Sequence, residues 1–178
     1  MQINKTALEI TDKQFHTIKT DSLIFPANNY LWMGNDVSGL VKKQAGDNVE
    51  KLALEYGSVS IGEAITTKGG KLPTKHLIHA ICMGQDGKIA VCDIKTSLNN
   101  SLNEAKEWES EKVVILPFIN QTTGPSPYEI AETMLGVCID HCMAKTTITH
   151  ILFATQIEQI KKIFTDTLSK IFSLKRKR

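Results

Sequence analysis

Between Leu23 and Val41 the chain passes from a short apolar run (Leu23, Ile24, Phe25) through Pro26 into a loop of small and amide residues. Ala27, Asn28, Gly34 and Asn35 belong to that loop, and Asp36 is placed to cap a helix that begins at Val37. A strand feeding a helix through such a loop is a general way to hold an anion. Unpaired backbone N–H groups and the positive end of the helix dipole converge on whatever sits there. A second stretch of the same kind is Asn120, Gln121, Thr122, Thr123 and Gly124, which follows the apolar run Val113–Leu116 and Pro117. In an open α/β sheet ligands lie beyond the carboxyl ends of the strands, where both loops are expected.

Other residues with chemical potential have a plainer reading beside the functional one. Asn28 either meets a ligand or bonds its own loop backbone as an Asx turn does. Cys138 and Cys142 lie four apart on a helical pattern with His141 between them, but the helix turns His141 about 100° away from Cys142. They read as small core residues, and no metal site or cofactor is expected. His79, inside Ile78-His79-Ala80, reads as a buried strand histidine satisfied by backbone. Cys82 has no neighbouring base to activate it. Tyr30 and Trp32 either stack on a base or roof the core. No phosphate-binding glycine motif of the P-loop or dinucleotide type occurs.

The elements that would position these residues alternate. A first strand is expected over Gln2–Ile10, a second over Ser22–Phe25 stopped by Pro26, and a helix from Val37 to Gly46 with Val37, Leu40, Val41 and Ala45 on its inner face. A second helix starts near Asn48, with Val49, Leu52, Ala53 and Tyr56 inward. Further strands are expected over Val59–Thr67, His76–Ile81, Val113–Leu116 and Thr147–Phe153. Helices are expected up to Trp108, over Pro127–Met143, and from about Gln156. This alternation predicts a three-layer α/β/α sandwich with a mixed, largely parallel sheet and the N-terminal strand as its antiparallel edge.

Composition adds bounds. The 178 residues suit one domain, 1–178, ending in a basic run over 174–178. Hydrophobic residues at 42% and charged residues at 22% are ordinary for a globular chain, and a net charge of +2 gives no footprint for nucleic acid. No run is long enough to span a membrane and no signal segment opens the chain, so a cytoplasmic protein with reduced cysteines is expected. No protein partner can be named from the residues.

Pro26-Ala27-Asn28, Leu31, Met33-Gly34, Val37 and Gly39 together resemble the first ligand loop of the macro domain, an ADP-ribose-binding module, of archaeal and bacterial type. Ala45-Gly46, Gly62-Glu63-Ala64-Ile65-Thr66-Thr67, Lys71-Leu72-Pro73, Ile78-His79-Ala80, Leu116-Pro117 and Pro127-Tyr128-Glu129 fit the same family in the same order. The resemblance implies a macro-type sandwich. It also implies that Ala27, Asn28, Gly34, Asn35, Asp36 and Val37, with Gln121, Thr122, Thr123 and Gly124, clamp a diphosphate and its ribose, while Gln14 reads the adenine.

The ligand-touching positions depart from the family pattern. Gly34-Asn35-Asp36 stands for a glycine triplet, and only Gly124 survives of the second loop's glycines. Gln14 stands for an acid, with Asp12 nearby, and the ring that would stack on adenine falls at Ala154 or Thr155 unless Phe153 serves. Ser38 stands for the aspartate of the family's hydrolases, which leaves Asn28 as the single matching catalytic candidate. The resemblance therefore implies binding of ADP-ribose or a related nucleotide diphosphate, weakly or with altered specificity. An ADP-ribosyl hydrolase or deacylase and a ligand-silent scaffold are the alternatives.

Overall fold

The computed structural model describes residues 1–34, 36–119 and 124–175. Its strands are β1 (Gln2–Ile3), β2 (Thr6–Thr11), β3 (Thr20–Asn28), β4 (Ala64–Lys68), β5 (Thr74–Met83), β6 (Lys112–Ile115) and β7 (His150–Ala154). Its helices are α1 (Asp36–Ala45), α2 (Asn48–Leu54), α3 (Val91–Glu107), α4 (Pro127–Met143) and α5 (Glu158–Lys175). The strands form one seven-stranded sheet in the order β1-β2-β7-β6-β3-β5-β4. β2, β7, β6, β3 and β5 run parallel, and both edges, β1 and β4, are antiparallel.

Alternation along β3 explains the three layers. Leu23 and Phe25 point to one face, where Val41 and Ala45 of α1 and Val49 of α2 cover them. Ile24 points to the other, into the larger core built from Leu98 and Leu102 of α3, Met134 and Cys138 of α4, and Phe164 of α5. Helix α4 starts as its sequence predicts, with Pro127 in the first turn. The Ser126 hydroxyl accepts from the Glu129 N–H at 3.3 Å, and the Glu129 carboxylate accepts from the Ser126 N–H at 2.8 Å. Helix α1 ends at Gly46, whose φ of +94° suits a residue without a side chain.

Several expected features differ. Pro26 does not stop β3, which runs on to Asn28. The Ile24 carbonyl accepts from Leu116 N–H on the β6 side, so by alternation Pro26 nitrogen also faces that side, where the ladder with β6 has already ended at Ile115. A proline there removes no sheet hydrogen bond. The first expected strand is a hairpin, β1 and β2, turned at Asn4 with φ of 50°. β4 starts at Ala64 rather than Val59 and is a second antiparallel edge. Helix α1 begins at Asp36 itself, which puts that residue in the first turn rather than at the cap. Leu40 and Tyr56, expected inward, are both more than half exposed.

His79 sits at the centre of the sheet, fully buried against the Phe25 ring at 4.6 Å. Its Nε2 shares a hydrogen bond with the Thr67 hydroxyl at 3.0 Å rather than with backbone, and its Nδ1 meets no partner among the described residues. Burial pushes its pKa down to about 3, so the ring is neutral. Among the described residues no helix is long and apolar enough to cross a membrane.

Candidate functional site

Because β3 and β6 are parallel neighbours, the segments that follow them leave the same end of the sheet. They border one cleft with two lobes. The smaller lobe, about 240 Å³, lies between Pro26, Ala27 and Asn28 at the end of β3, Gly34, Val37 and Ser38 at the start of α1, and the Met83–Gly87 segment after β5. The larger lobe, about 550 Å³, is bounded by Lys13 and Phe15 after β2, Leu116 and Pro117 after β6, and Ala154–Ile157 after β7. Leu40 and Ile160 complete it. Val37 and Ile119 line both lobes and form the saddle between them.

The first loop is shaped by its own side chains. The pairing of β3 with β5 slips by one residue at the end, so that Ala27 faces Ile81 and Asn28 faces Met83. Such a bulge re-aims the residue after it. Asn28 Oδ1 accepts from the Tyr30 N–H at 3.0 Å and the Trp32 N–H at 3.3 Å, while its Nδ2 donates to the Trp32 carbonyl at 2.8 Å. This is the Asx reading of Asn28, and the residue still borders the smaller lobe. Leu31 takes a φ of 62° with its side chain wholly buried beside Ala27, Ala53 and Ile81. The Met33 N–H donates to the Glu50 carboxylate of α2 at 2.7 Å. Burial works to raise the pKa of Glu50, but bonds from Lys42 and from Met33 outweigh it and leave the group below the usual range. Gly39 lets α1 lie against the loop, since a Cβ there would come within 3.2 Å of the Gly34 carbonyl oxygen.

The sequence-predicted site residues divide into three groups. Ala27, Asn28, Gly34 and Val37 are brought together around the smaller lobe. Gln14 is exposed and borders neither lobe; its neighbours Lys13 and Phe15 border the larger one instead. Gly124 borders neither lobe, and a Cβ there would come within 3.2 Å of the Ile89 carbonyl oxygen. Asn35, Gln121, Thr122, Thr123 and the Asp36 side chain lie outside the described residues, as do residues 176–178 of the basic tail. Asp12, the alternative to Gln14, is engaged by Lys161 at 2.6 Å, whose ammonium holds its carboxyl below the usual range.

Other candidates are placed away from the cleft or differ from expectation. Cys82 faces the core, where burial pushes its thiol up to about 12. Cys138 and Cys142 are core residues of α4, and burial raises both thiols. Phe153 packs on Phe164 inside the core at 5.2 Å and cannot serve as the stacking ring. Phe15 is the aromatic wall of the larger lobe, supplied from the segment after β2 rather than after the last strand. An aromatic residue in the polar stretch 11–20 was the available signal. The Met83–Gly87 segment was equally visible as a glycine-containing loop after a buried strand.

The chain resembles known proteins in both sequence and shape. An uncharacterized protein of Aeropyrum pernix is 34% identical over 116 residues, which is 65% of this chain and 61% of that protein. The Oceanobacillus iheyensis macrodomain solved with ADP superposes with a TM-score of 0.84 at 21% identity, covering 97% of this chain and 95% of that one. The Trypanosoma brucei macrodomain in complex with ADP-ribose superposes with a TM-score of 0.80 at 17% identity, covering 92% of this chain and 69% of that one. The family model of the macro domain matches residues 24–135, from the middle of β3 into α4, the span that holds the first loop, the saddle and the Met83–Gly87 segment. With sequence and overall fold in agreement, the chain belongs to the macro domain family.

Proposed function

We propose that this protein binds ADP-ribose or a closely related nucleotide diphosphate across the strand ends. The observation that carries this is the two-lobed cleft joined at Val37 and Ile119. A nucleobase suits the larger lobe, whose walls are mostly apolar and include the Phe15 ring. The smaller lobe, edged by amide, hydroxyl and glycine residues, suits a ribose. A diphosphate between them would cross the saddle beside the N-terminus of α1, where backbone N–H groups favour an anion. The relatives solved with ADP and with ADP-ribose support this assignment.

The reading is of binding rather than turnover. Among the described side chains bordering the smaller lobe there is no carboxylate, imidazole, thiol or amine to act as a general base. Ser38, nearly buried there, is a hydroxyl, and the Asn28 amide is committed to its loop. All four cysteines are unpaired, which agrees with the reducing cytoplasm we assign to the protein.

Calorimetric titration tests the proposal, with ADP-ribose, ADP and AMP as ligands. ADP-ribose should bind with measurable heat and more tightly than AMP, which can fill only the larger lobe. Absence of binding by all three would overturn the reading and leave a scaffold role.

A further inference from the structure

One aromatic residue, Trp32, lines the smaller lobe, and a second, Tyr30, is in ring contact with it. Along the loop the side chains alternate, with Leu31 and Met33 buried and Tyr30 and Trp32 turned outward. Trp32 is 55% exposed and Tyr30 42%. Trp32 is therefore not a roof on the core, since Leu31 and Met33 do that work. Its backbone is fixed on both sides, through the N–H and the carbonyl, by the Asn28 amide. Tyr30 lies against it with ring centroids 5.6 Å apart and 34° between the planes, and Trp32 itself lines the cavity wall. An aromatic ring exposed at the wall of a cavity, on a loop whose backbone is fixed, offers a preformed face on which a flat ligand can stack.

We propose that Trp32, with Tyr30 beside it, is a stacking platform for a second base, and that the cleft takes a dinucleotide: two nucleosides joined through a diphosphate. This rests on the reading above. One base fills the larger lobe, the diphosphate crosses Val37 and Ile119, the distal ribose occupies the smaller lobe, and its base leaves through the opening onto Trp32. The described lining of the smaller lobe, which includes Asn28, Gly84, Gln85 and Gly87 beside Trp32, carries no charged side chain, so a flat neutral or delocalised ring fits better than a charged peptide. Stacking on an exposed aromatic tolerates any base, because every base has a π face.

Tryptophan fluorescence provides the test. The chain has two tryptophans, Trp32 and Trp108, and Trp108 stacks on His76, which borders neither lobe. In a Trp108→Phe background Trp32 is the single reporter. Titration with ADP-ribose, with oxidised nicotinamide adenine dinucleotide and with diadenosine diphosphate should show both dinucleotides binding about tenfold more tightly than ADP-ribose and quenching Trp32 more strongly. Trp32→Ala should bring the ratio of dinucleotide to ADP-ribose affinity towards one, measured by calorimetry, and Trp32→Phe should restore most of it. Dinucleotides that bind no better than ADP-ribose, or a ratio unchanged in Trp32→Ala, would overturn this proposal and leave the ADP-ribose reading standing. Failure of all three ligands to bind would overturn both.

Discussion

His79 predicts a pH dependence of stability that one substitution should remove. In the folded chain burial holds its pKa near 3, against 6.5 for the free side chain. As pH falls below 6.5 the unfolded chain takes up a proton that the folded chain refuses, so the equilibrium shifts towards unfolding. The stabilisation is complete above pH 6.5 and is lost progressively down to about pH 3. Linkage at a single site makes the loss, relative to pH 7.5, roughly 1 kcal/mol at pH 5.5 and between 2 and 3 at pH 4.5. His76 and His141, whose pKa values burial also lowers, contribute in the same direction. Carboxylates held low by partners, such as Glu50, add their own losses only at lower pH. Urea unfolding at pH 7.5, 6.5, 5.5 and 4.5 should therefore show a falling midpoint. His79→Gln keeps a polar group near Thr67 but does not titrate, so each of its values, referred to its own at pH 7.5, should fall by that much less. Parallel curves for parent and variant would refute the reasoning, because they would mean the buried ring is not the group being titrated.

Two further outcomes are expected. Phe15→Ala should weaken ADP-ribose and AMP alike by about tenfold in calorimetry, since the lost wall belongs to the base-sized lobe; an effect on ADP-ribose alone would place the base elsewhere. Asn28→Ala removes three hydrogen bonds at about 0.5–1.5 kcal/mol net each, so denaturant unfolding should show a loss of about 1.5–4.5 kcal/mol. Asn28→Asp keeps the oxygen that accepts from Tyr30 and Trp32 but sets a second acceptor against the Trp32 carbonyl in place of the donor, so it should recover only part of it.

Periodicity placed most helices and parallel strands because those elements bury one continuous stripe or run. Its errors have physical causes. Leu40 shares the helical spacing of Val41 and Ala45, yet it faces the larger lobe, and spacing alone cannot distinguish a neighbour from a cavity. Pro26 reads as a stop to any rule that ignores where the adjacent strand ends. The direction of β4 is invisible because residues 64–68 would alternate the same way in either sense. At the site, the first loop was legible as a contiguous string, Pro26 to Val37. The larger lobe was not, because Phe15, Leu40, Pro117 and Ile157 come from four separate segments that only the sheet order β2-β7-β6-β3 brings side by side.

Under the proposed assignment, with one ligand spanning both lobes, the saddle at Val37 and Ile119 makes them tethered half-sites. Each alone offers a fragment modest contact, but a molecule seated in one lobe presents its other half to the second at an effective concentration set by the short connecting chain. Affinity then depends on covalent continuity more than on either half. Cutting the connection at the diphosphate would release both pieces without any change in the protein, so such a cleft distinguishes an intact ligand from the mixture of its parts. The same geometry favours synthetic ligands built by joining two weak fragments with a linker that fits over the saddle, and it penalises linkers too short to span it.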